Sequence, residues 1–575
     1  MTNMTDSSTS VRPSSDPGRS RFLALVEWFI ATPLVAHVVV VAVLLVLGLS
    51  LVHPTGTWTS DEGAVRSQVE LLSTQGSWSA VRPFSDLDPE EITSPIHAST
   101  IVGERYSPYT KQPALPVVLA PVRSVAGEAA LVLPALLGAL LAAVIGSLIA
   151  GSFTSRIRNL TLWVIAFATP VLFYGYTVLG HTAAAALGAL AVFVVLRWGE
   201  RLSPTWLFAI GAMFVAPLFR AEAFAFGIAL GVAVIIAQRG VRWSVRGSLS
   251  VSIVAASLAG LIVNQRWAAS VGGGDPVSEG QRILDWFRLV SGAFSSLILV
   301  DFGTVALLGV VVMMTGGAAL VAVAVHREPD NRRFHLVAAS LSIAGSVSLL
   351  FLAPIPVGGL LAATPVLVAG MLLLRREDLS DRSIRLIVTT AVLFVSAVFL
   401  TQERGGGGAQ WGGRYLMPIV AILVPVAILL LRRLLQSAPH AARLVVVPLV
   451  IAVLVLTIDA AVVLRSGREN SAELTHRLVQ LADSVGGSSS ESPVILSSRT
   501  HIGRHAWRTT DDIDYFLVPE EAFDVYLDRL VESGESRFGV VGAWTPDRRA
   551  LFESHGFAAV DPATAPFIVV GRIDG

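Results

Sequence analysis

The residues best suited to chemistry lie in one polar stretch, residues 53–116, which follows the first long apolar segment. Asp61 and Glu62 are adjacent near its start, and Lys111, the single lysine of the chain, lies near its end. A carboxylate can accept the proton of an attacking hydroxyl group, and an ammonium group binds a phosphate as a point charge. The stretch therefore predicts a site with a base at one end and an anion-binding cation at the other.

Each of these residues also has an ordinary structural explanation. Ser60 or Asp61 suits the N-cap of a helix, where a side-chain oxygen accepts a hydrogen bond from an unpaired backbone N–H group. Lys111 suits a solvated loop. Its setting favours binding, because the neighbouring Tyr106 and Tyr109 are amphipathic side chains typical of a membrane interface and the prolines around them stiffen the backbone.

A second set of polar residues lies at the ends of apolar segments, where ionisable groups are candidates for function. It comprises His181, Arg220, Glu222, Arg414 and Tyr415. The alternatives are an ion pair between Arg220 and Glu222, an Arg414 side chain that only reaches out to water, and a helix-capping role for His181. The sequence leaves these alternatives open.

The composition predicts a membrane scaffold around these residues. The chain has 575 residues, of which 53% are hydrophobic and 15% charged, whereas a soluble protein carries about 25% charged residues. The formal net charge is zero and there is no cysteine. These values give no indication of nucleic-acid binding and exclude disulfide bonds and thiol chemistry. No GxxxxGK[ST] loop is present, which argues against ATP-driven work.

Apolar runs of about 20 residues predict transmembrane helices. We count thirteen, at 32–52, 129–151, 160–178, 182–197, 206–218, 222–237, 249–264, 301–325, 336–353, 358–374, 385–401, 415–431 and 444–464. Arginines concentrate in alternate loops, which are cytoplasmic by the positive-inside rule. We therefore expect a cytoplasmic N-terminus and an extracytoplasmic C-terminus in a plasma (inner) membrane protein.

The predicted fold is an all-α polytopic membrane domain followed by a small α/β domain. Residues 1–31 are expected to be a disordered cytoplasmic segment, and residues 32–464 the membrane domain, with its functional first outside loop at 53–128. Within that loop, Val65, Val69 and Leu72 have helical spacing. Residues 265–300 predict an amphipathic helix at the interface. Residues 465–575 alternate short apolar runs with helical patterns, which favours a parallel sheet, and we expect this domain to be accessory to the chemistry.

Metal ligands are not indicated by any motif. There is no HExxH or CxxC pattern, and the acidic run Asp511–Asp514 lies in the C-terminal tail. We expect no required cofactor, although a divalent cation is compatible with the acidic residues.

Four short motifs resemble the GT-C superfamily of integral-membrane glycosyltransferases, which includes the protein O-mannosyltransferases and the lipid A aminoarabinose transferase. They are Asp61-Glu62 after the first span, Gly76-Ser77-Trp78 after the helix, Lys111-Gln112-Pro113 before the second span, and Arg414 to Pro418 late in the chain. The lysine motif has one residue more between Lys and Pro than that of the family. The resemblance extends over most of residues 32–464.

The resemblance implies an inverting transfer of a sugar from a polyprenyl-phosphate donor to an extracytoplasmic glycan, lipid or protein. It implies that Asp61, with Glu62 beside it, activates the acceptor, and that Lys111 with Arg414 or Arg220 holds the donor phosphate. Tyr106, Tyr109, His181, Glu222 and Tyr415 are then candidates for substrate binding. Two other classes stay open: a transporter or flippase of lipid-linked sugars, and a non-catalytic protein of envelope assembly. Transporters commonly have internal repeats, and none is evident here.

Overall fold

The structure is a computed structural model. It describes residues 27–82, 88, 93, 96, 100–108, 111–272, 359–401, 411–437, 439–486, 492–499, 501–510, 512–560 and 566–573. Tyr109, the predicted spans at 301–325 and 336–353, and the amphipathic helix predicted within 265–300 beyond residue 272 lie outside the described residues.

Helices make up most of the described chain. They are α1 (Leu34–Leu47), α2 (Leu49–Val52), α3 (Ser60–Thr74), α4 (Ala114–Ala126), α5 (Leu133–Phe153), α6 (Ser155–Phe167), α7 (Pro170–Gly175), α8 (His181–Trp198), α9 (Trp206–Phe219), α10 (Ala223–Ala237), α11 (Trp243–Ser270), α12 (Leu360–Ala363), α13 (Pro365–Met371), α14 (Arg382–Thr401), α15 (Met417–Ser437), α16 (Pro439–Val485), α17 (Ile502–His505), α18 (Phe523–Glu532) and α19 (Pro546–Ser554).

Seven helical stretches among the described residues are long and apolar enough to cross a membrane. They are Leu34–Val52, Glu128–Phe153, His181–Trp198, Trp243–Ser270, Arg382–Leu400, Arg414–Ser437 and Val445–Val485. The chain is therefore a multi-pass membrane protein. The predicted number of thirteen is not confirmed, because the predicted spans at 206–218 and 222–237 are shorter apolar helices and 160–178 is divided between α6 and α7.

Helix α15 lies at the centre of the bundle. Nearly all of its residues are buried, which agrees with a sequence that is apolar on every side from Met417 to Leu431. Helices α5, α8 and α13 pack directly against it. The residues that lead into α15, including Arg414 and Tyr415, are thereby held at one end of the bundle.

The loop between α2 and α4 contains the predicted helix, α3, and a small antiparallel sheet. Strands β1 (Ala80–Val81) and β2 (Thr100–Val102) both pair with β3 (Arg105–Ser107). Helix α3 is confirmed, but its N-cap is Thr59, whose hydroxyl accepts a hydrogen bond from the Glu62 backbone N–H at 3.3 Å. Val69 of α3 packs with Leu115 and Leu119 of α4.

Helix α16 connects the bundle to the C-terminal sheet without a break. It has 47 residues, so the predicted domain boundary at 464/465 falls inside it. Its first half is apolar, as in a transmembrane helix. Near its end, Leu478, Leu481 and Ala482 pack against one face of the sheet. The other face of the sheet is covered by residues of α18 and α19, among them Phe523 and Phe552. The continuous helix therefore fixes the C-terminal domain relative to the bundle.

The C-terminal sheet is mixed instead of parallel. Its strands are β4 (Val494–Ser497), β5 (Asp514–Leu517), β6 (Arg537–Val541), β7 (Phe557–Ala559) and β8 (Phe567–Arg572), in the order β5-β4-β6-β8-β7. Strand β4 is parallel to β5 and β6, as predicted, whereas β8 is antiparallel to both neighbours. The short connection from β7 to β8 forces this reversal, since a parallel pair needs a long crossover.

Candidate active site

Asp61 lies at the second position of α3, on the side of the helix that faces the bundle end. Thr59 caps the helix, so the carboxylate of Asp61 belongs to the first turn, where the helix dipole favours a negative charge. The Asp61 side chain is 40% exposed. It is therefore open to a molecule that approaches from the surface of the protein.

Arg414 contacts Asp61 from the opposite side of the site. Its Nη1 is 3.2 Å from Asp61 Oδ2, although the two residues are 353 positions apart in sequence. The guanidinium lies 5.0 Å from the centre of the Tyr415 ring, and Nη2 donates a hydrogen bond to the Tyr415 hydroxyl at 3.3 Å. The Arg414 side chain is only 6% exposed, so its charge is held by these partners.

Two glycines set the direction of Arg414. Gly412 and Gly413 have φ values of +68° and +64°, a region that strains other residues. A Cβ atom on Gly412 would lie 2.3 Å from Pro170 Cγ. Gly412 and Gly413 are therefore needed for the tight turn against α7.

Arg504 is the second guanidinium on Asp61, and it comes from the C-terminal domain. Its Nη1 is 3.6 Å from Asp61 Oδ1, and its side chain is 5% exposed. Helix α17 carries it and packs against α3 so closely that a Cβ on Gly63 would lie 1.6 Å from the Arg504 carbonyl oxygen. Asp61 thus lies between one guanidinium of the bundle and one of the C-terminal domain.

These charges set the ionisation of Asp61. Burial by itself raises the pKa of the Asp61 carboxyl, but the charges of Arg414 and Arg504, with further contributions from Arg220 and Lys111, outweigh it and hold the pKa below its usual value. The carboxylate is therefore ionised at neutral pH. Its basicity is low while both guanidinium groups remain on it.

The second predicted set of residues forms one cluster beside this ion pair. Arg220 pairs with Glu222 through contacts of 2.8 Å and lies 5.5 Å from the centre of the Tyr415 ring. His181, Arg220, Glu222 and Arg414 line the same small recess. The structure therefore brings together Asp61, Arg414, Arg220, Glu222, His181 and Tyr415. Arg220 and Glu222 do form the ion pair that the alternative explanation predicts. Both residues also line the recess.

His181 is fully buried in this cluster. It is the first residue of α8, and Gly180, the N-cap, makes no side-chain cap. The ring packs 4.7 Å from that of Tyr174 and hydrogen-bonds to the Arg414 backbone, while Nε2 has no hydrogen-bond partner among the described residues. His181 therefore supports the backbone of Arg414 and leaves one polar atom directed into the packed cluster.

Glu62 is buried away from the recess. Its Oε2 accepts a hydrogen bond from the Trp58 N–H at 2.6 Å, and its Oε1 accepts one from the Val178 N–H at 2.6 Å. Oε1 is also 3.8 Å from Nη2 of Arg468, and both side chains have zero exposure. Glu62 therefore fixes the start of α3 to the bundle and, of the two adjacent acids, only Asp61 reaches solvent.

Lys111 and Tyr106 occupy different surroundings. The Lys111 side chain is exposed, its charge is among those that lower the pKa of Asp61, and its backbone carbonyl accepts a hydrogen bond from Asn264 at 3.0 Å. Tyr106 is 3% exposed and packs with Leu71 and Ala80 beneath the small sheet. Lys111 thus belongs electrostatically to the site, whereas Tyr106 borders a separate cavity between α3 and the C-terminal domain, with Trp507 and Arg508.

Arg504 is the site residue that sequence reasoning missed. It lies in HIGRH, between a serine-rich linker and strand β5, where nothing in the local pattern indicates burial. Arg468, which pairs with Glu62, was missed for the same reason. No cluster of three or more potential metal ligands occurs among the residues that the structure describes.

Comparison with known proteins gives structural similarity only. No family model and no curated protein matches the sequence. The fold is similar to that of ArnT from Cupriavidus metallidurans in the apo state, with 14% identity, a TM-score of 0.46 and coverage of 96% of this chain and 98% of that one. The same protein bound to undecaprenyl phosphate gives 15%, 0.46, 94% and 98%.

An oligosaccharyltransferase from Archaeoglobus fulgidus in the apo form is also similar, with 11% identity and a TM-score of 0.43 over 89% of this chain and 70% of that one. Similarity at these identities and TM-scores does not assign an activity. The assignment of a function therefore rests on the residues of the site.

Proposed function

We propose that the chain is a GT-C type glycosyltransferase that moves a sugar from a polyprenyl-phosphate donor to an extracytoplasmic acceptor with inversion. The acceptor would be a cell-wall glycan, a lipid or a protein. The observation that carries the proposal is an ionised, solvent-accessible carboxylate, Asp61, held between two buried guanidinium groups at the end of a membrane bundle. A base next to several cations suits a reaction in which a hydroxyl is deprotonated and a phosphate leaves.

The cationic side chains are assigned to the donor phosphate. In the proposed reaction Arg414, Arg220 and Lys111 stabilise its negative charge. This stabilisation must increase as the phosphate leaves, because its charge increases. Arg414 and Arg220 both lie against Tyr415 and line one recess. His181 and Glu222 lie in the same closely packed cluster, and we assign them and Tyr415 to substrate binding because they adjoin these cations.

Asp61 is assigned to the acceptor. The acceptor oxygen attacks the anomeric carbon from the side opposite the phosphate, and its proton passes to an oxygen of the Asp61 carboxylate. The bond between the anomeric carbon and the phosphate oxygen breaks, and its electron pair leaves with the polyprenyl phosphate. Attack opposite the leaving group inverts the anomeric centre. Since cationic side chains can hold the leaving charge, the proposal requires no metal ion.

The directions of the helices support a location of the site on the extracytoplasmic side of the membrane. His181 is at the first residue of α8 and Arg414 lies just before α15, whereas Arg197 and Arg432–Arg433 lie at their opposite ends. Arginine-rich ends are cytoplasmic by the positive-inside rule. This supports an extracytoplasmic site in the plasma (inner) membrane, with a cytoplasmic N-terminus and the C-terminal domain outside, where it contacts Asp61.

A transfer assay tests the proposal directly. Membranes that contain the protein are incubated with labelled lipid extract from the source cells, which includes the native polyprenyl-phosphate sugar. A transferase releases free polyprenyl phosphate while label appears in an acceptor. Because the proposal requires no metal ion, the same result is expected when a chelator is present. A flippase moves the donor across the membrane intact, and an assembly protein does neither, so an intact donor pool would contradict the proposal.

A further inference from the structure

The position of Arg504 is fixed by several contacts between the C-terminal domain and the first loop. Thr57 and Ser471 hydrogen-bond at 2.7 Å, and Ser471 donates to the His505 carbonyl at 3.2 Å. Arg508 donates to the Thr55 carbonyl at 3.1 Å. These bonds surround α17 and hold Arg504 at the surface of α3.

A second set of contacts anchors the same domain at a distance from α17. Asp88 of the first loop is fully buried and accepts hydrogen bonds from Thr93 and from Tyr526 of α18. The contacts of Asp88 are buried, and such contacts require matched partners because an unpaired buried charge is costly. Nearer to α17, the half-exposed Arg508 side chain pairs with Glu128 at the start of the next span.

We infer that Arg504 is a positioning residue of the active site, which orients the Asp61 carboxylate, so that the C-terminal domain forms part of the catalytic centre. The inference rests on the proposed function. It reverses the expectation that this domain is accessory. Its support is geometric: a 5% exposed guanidinium lies 3.6 Å from Asp61 Oδ1, whereas Arg414 lies 3.2 Å from Asp61 Oδ2.

The charged and titratable groups around Asp61 decide what a pH profile will show. They are Arg414 before α15, Arg504 and His501 at α17, Arg220 between α9 and α10, and Lys111 before α4. Transfer requires the ionised carboxylate, so activity is present above the pKa of Asp61 and is lost as the pH falls through it. Removal of one guanidinium raises that pKa and moves the acid limb to higher pH.

The test compares Arg504→Met, which keeps the packing of the stem, with Arg504→Lys, which keeps the charge. For Arg504→Met we expect kcat at neutral pH to fall about 10- to 100-fold, as for a misplaced catalytic group, and the acid limb to move to higher pH. Arg504→Lys should restore most of the rate and the wild-type acid limb. A rate loss in both variants with an unmoved acid limb would mean a purely structural role and overturn the inference.

Gly63→Ala perturbs the same contact without changing an ionisable group. The added Cβ would collide with the Arg504 carbonyl, so α17 must move away and the acid limb should shift as in Arg504→Met. Gly211→Ala, where a Cβ meets nothing within 4 Å, is the matched control and should behave as wild type. Hydrogen exchange of the α3–α17 contact should increase in Gly63→Ala and stay at the wild-type level in Arg504→Met.

Asp61→Asn separates this inference from the proposed function. If the wild-type protein shows no transfer, the proposed function fails. If Asp61→Asn retains transfer, the assignment of Asp61 as the base fails, whatever Arg504 does. If Asp61→Asn is inactive while Arg504→Met keeps the wild-type rate and pH profile, the proposed function stands and the role of Arg504 is refuted.

Discussion

Asp61→Asn should have opposite effects on donor binding and on transfer. The substitution keeps the size of the side chain and removes its charge and basicity. Loss of a general base lowers the rate by about 10²- to 10⁴-fold. Binding should improve, because Asp61 occupies the guanidinium group of Arg414, which the donor phosphate also needs.

The gain in binding can be estimated from the contact between Asp61 and Arg414. The two side chains pair at 3.2 Å, and the Asp61 side chain is 40% exposed. Solvent-exposed ion pairs contribute about 0.2–1 kcal/mol each, so a phosphate that must break this pair loses about that much. Without Asp61, lipid phosphate should bind about 1.4- to 5-fold more tightly.

The measurement uses undecaprenyl phosphate as the probe and the protein in lipid nanodiscs, with transfer followed in parallel. Asp483→Asn, at an exposed position near the end of α16, is the matched control and should change neither quantity. A misfolded variant loses binding and transfer together, whereas the expected variant loses only transfer. Weaker phosphate binding by a correctly inserted Asp61→Asn would refute the competition argued here.

Three further predictions concern other parts of the chain. Glu62→Gln should destabilise the protein by about 2–5 kcal/mol, the cost of breaking a buried ion pair, because its amide NH₂ would face a backbone N–H; a thermal unfolding midpoint equal to that of wild type would contradict this. Lys111→Ala should weaken donor binding roughly 10- to 150-fold, the loss of one charge-assisted contact of about 1.5–3 kcal/mol, with Lys111→Arg partly tolerated and unchanged affinity as the contrary result. A reporter fused after Gly575 should be active only outside the cytoplasm, and cytoplasmic activity would reverse the proposed orientation.

The sequence predicts α3 correctly but not its environment. Its apolar spacing indicates a helix, and Ser60–Thr74 forms one. An amphipathic helix next to a membrane span is expected to expose its polar side, yet Glu62, Arg66 and Gln68 are all buried. The reason is that the bundle and the C-terminal domain cover α3 from different sides, and local periodicity carries no information on such long-range packing.

The candidate site was predictable to the extent that its residues follow apolar segments. Asp61, Arg414 and Arg220 were found because polar residues at span ends are unusual in so apolar a sequence. Arg504 could not be found in that way, since arginines are common in a polar domain and their burial depends on the docking of α17. The domain boundary predicted at 464/465 lies within α16. The change in composition there reflects the exit of α16 from the membrane, and the helix itself continues.

The balance of charge at the site bears on how it would favour reaction over binding. Four cationic side chains act on Asp61, and among the described residues Asp61 and Glu222 form ion pairs with members of this group. These six described side chains together carry a net positive charge. A sugar phosphodiester has one negative charge, whereas the released monoester has about −1.5 to −2 at neutral pH. A fixed positive cluster stabilises the leaving group more as its charge grows, and interactions that strengthen towards the transition state are those that accelerate a reaction. In the proposed reaction, Arg414 would shift from Asp61 to the phosphate when the donor binds, and the carboxylate would regain basicity when the acceptor hydroxyl must lose its proton.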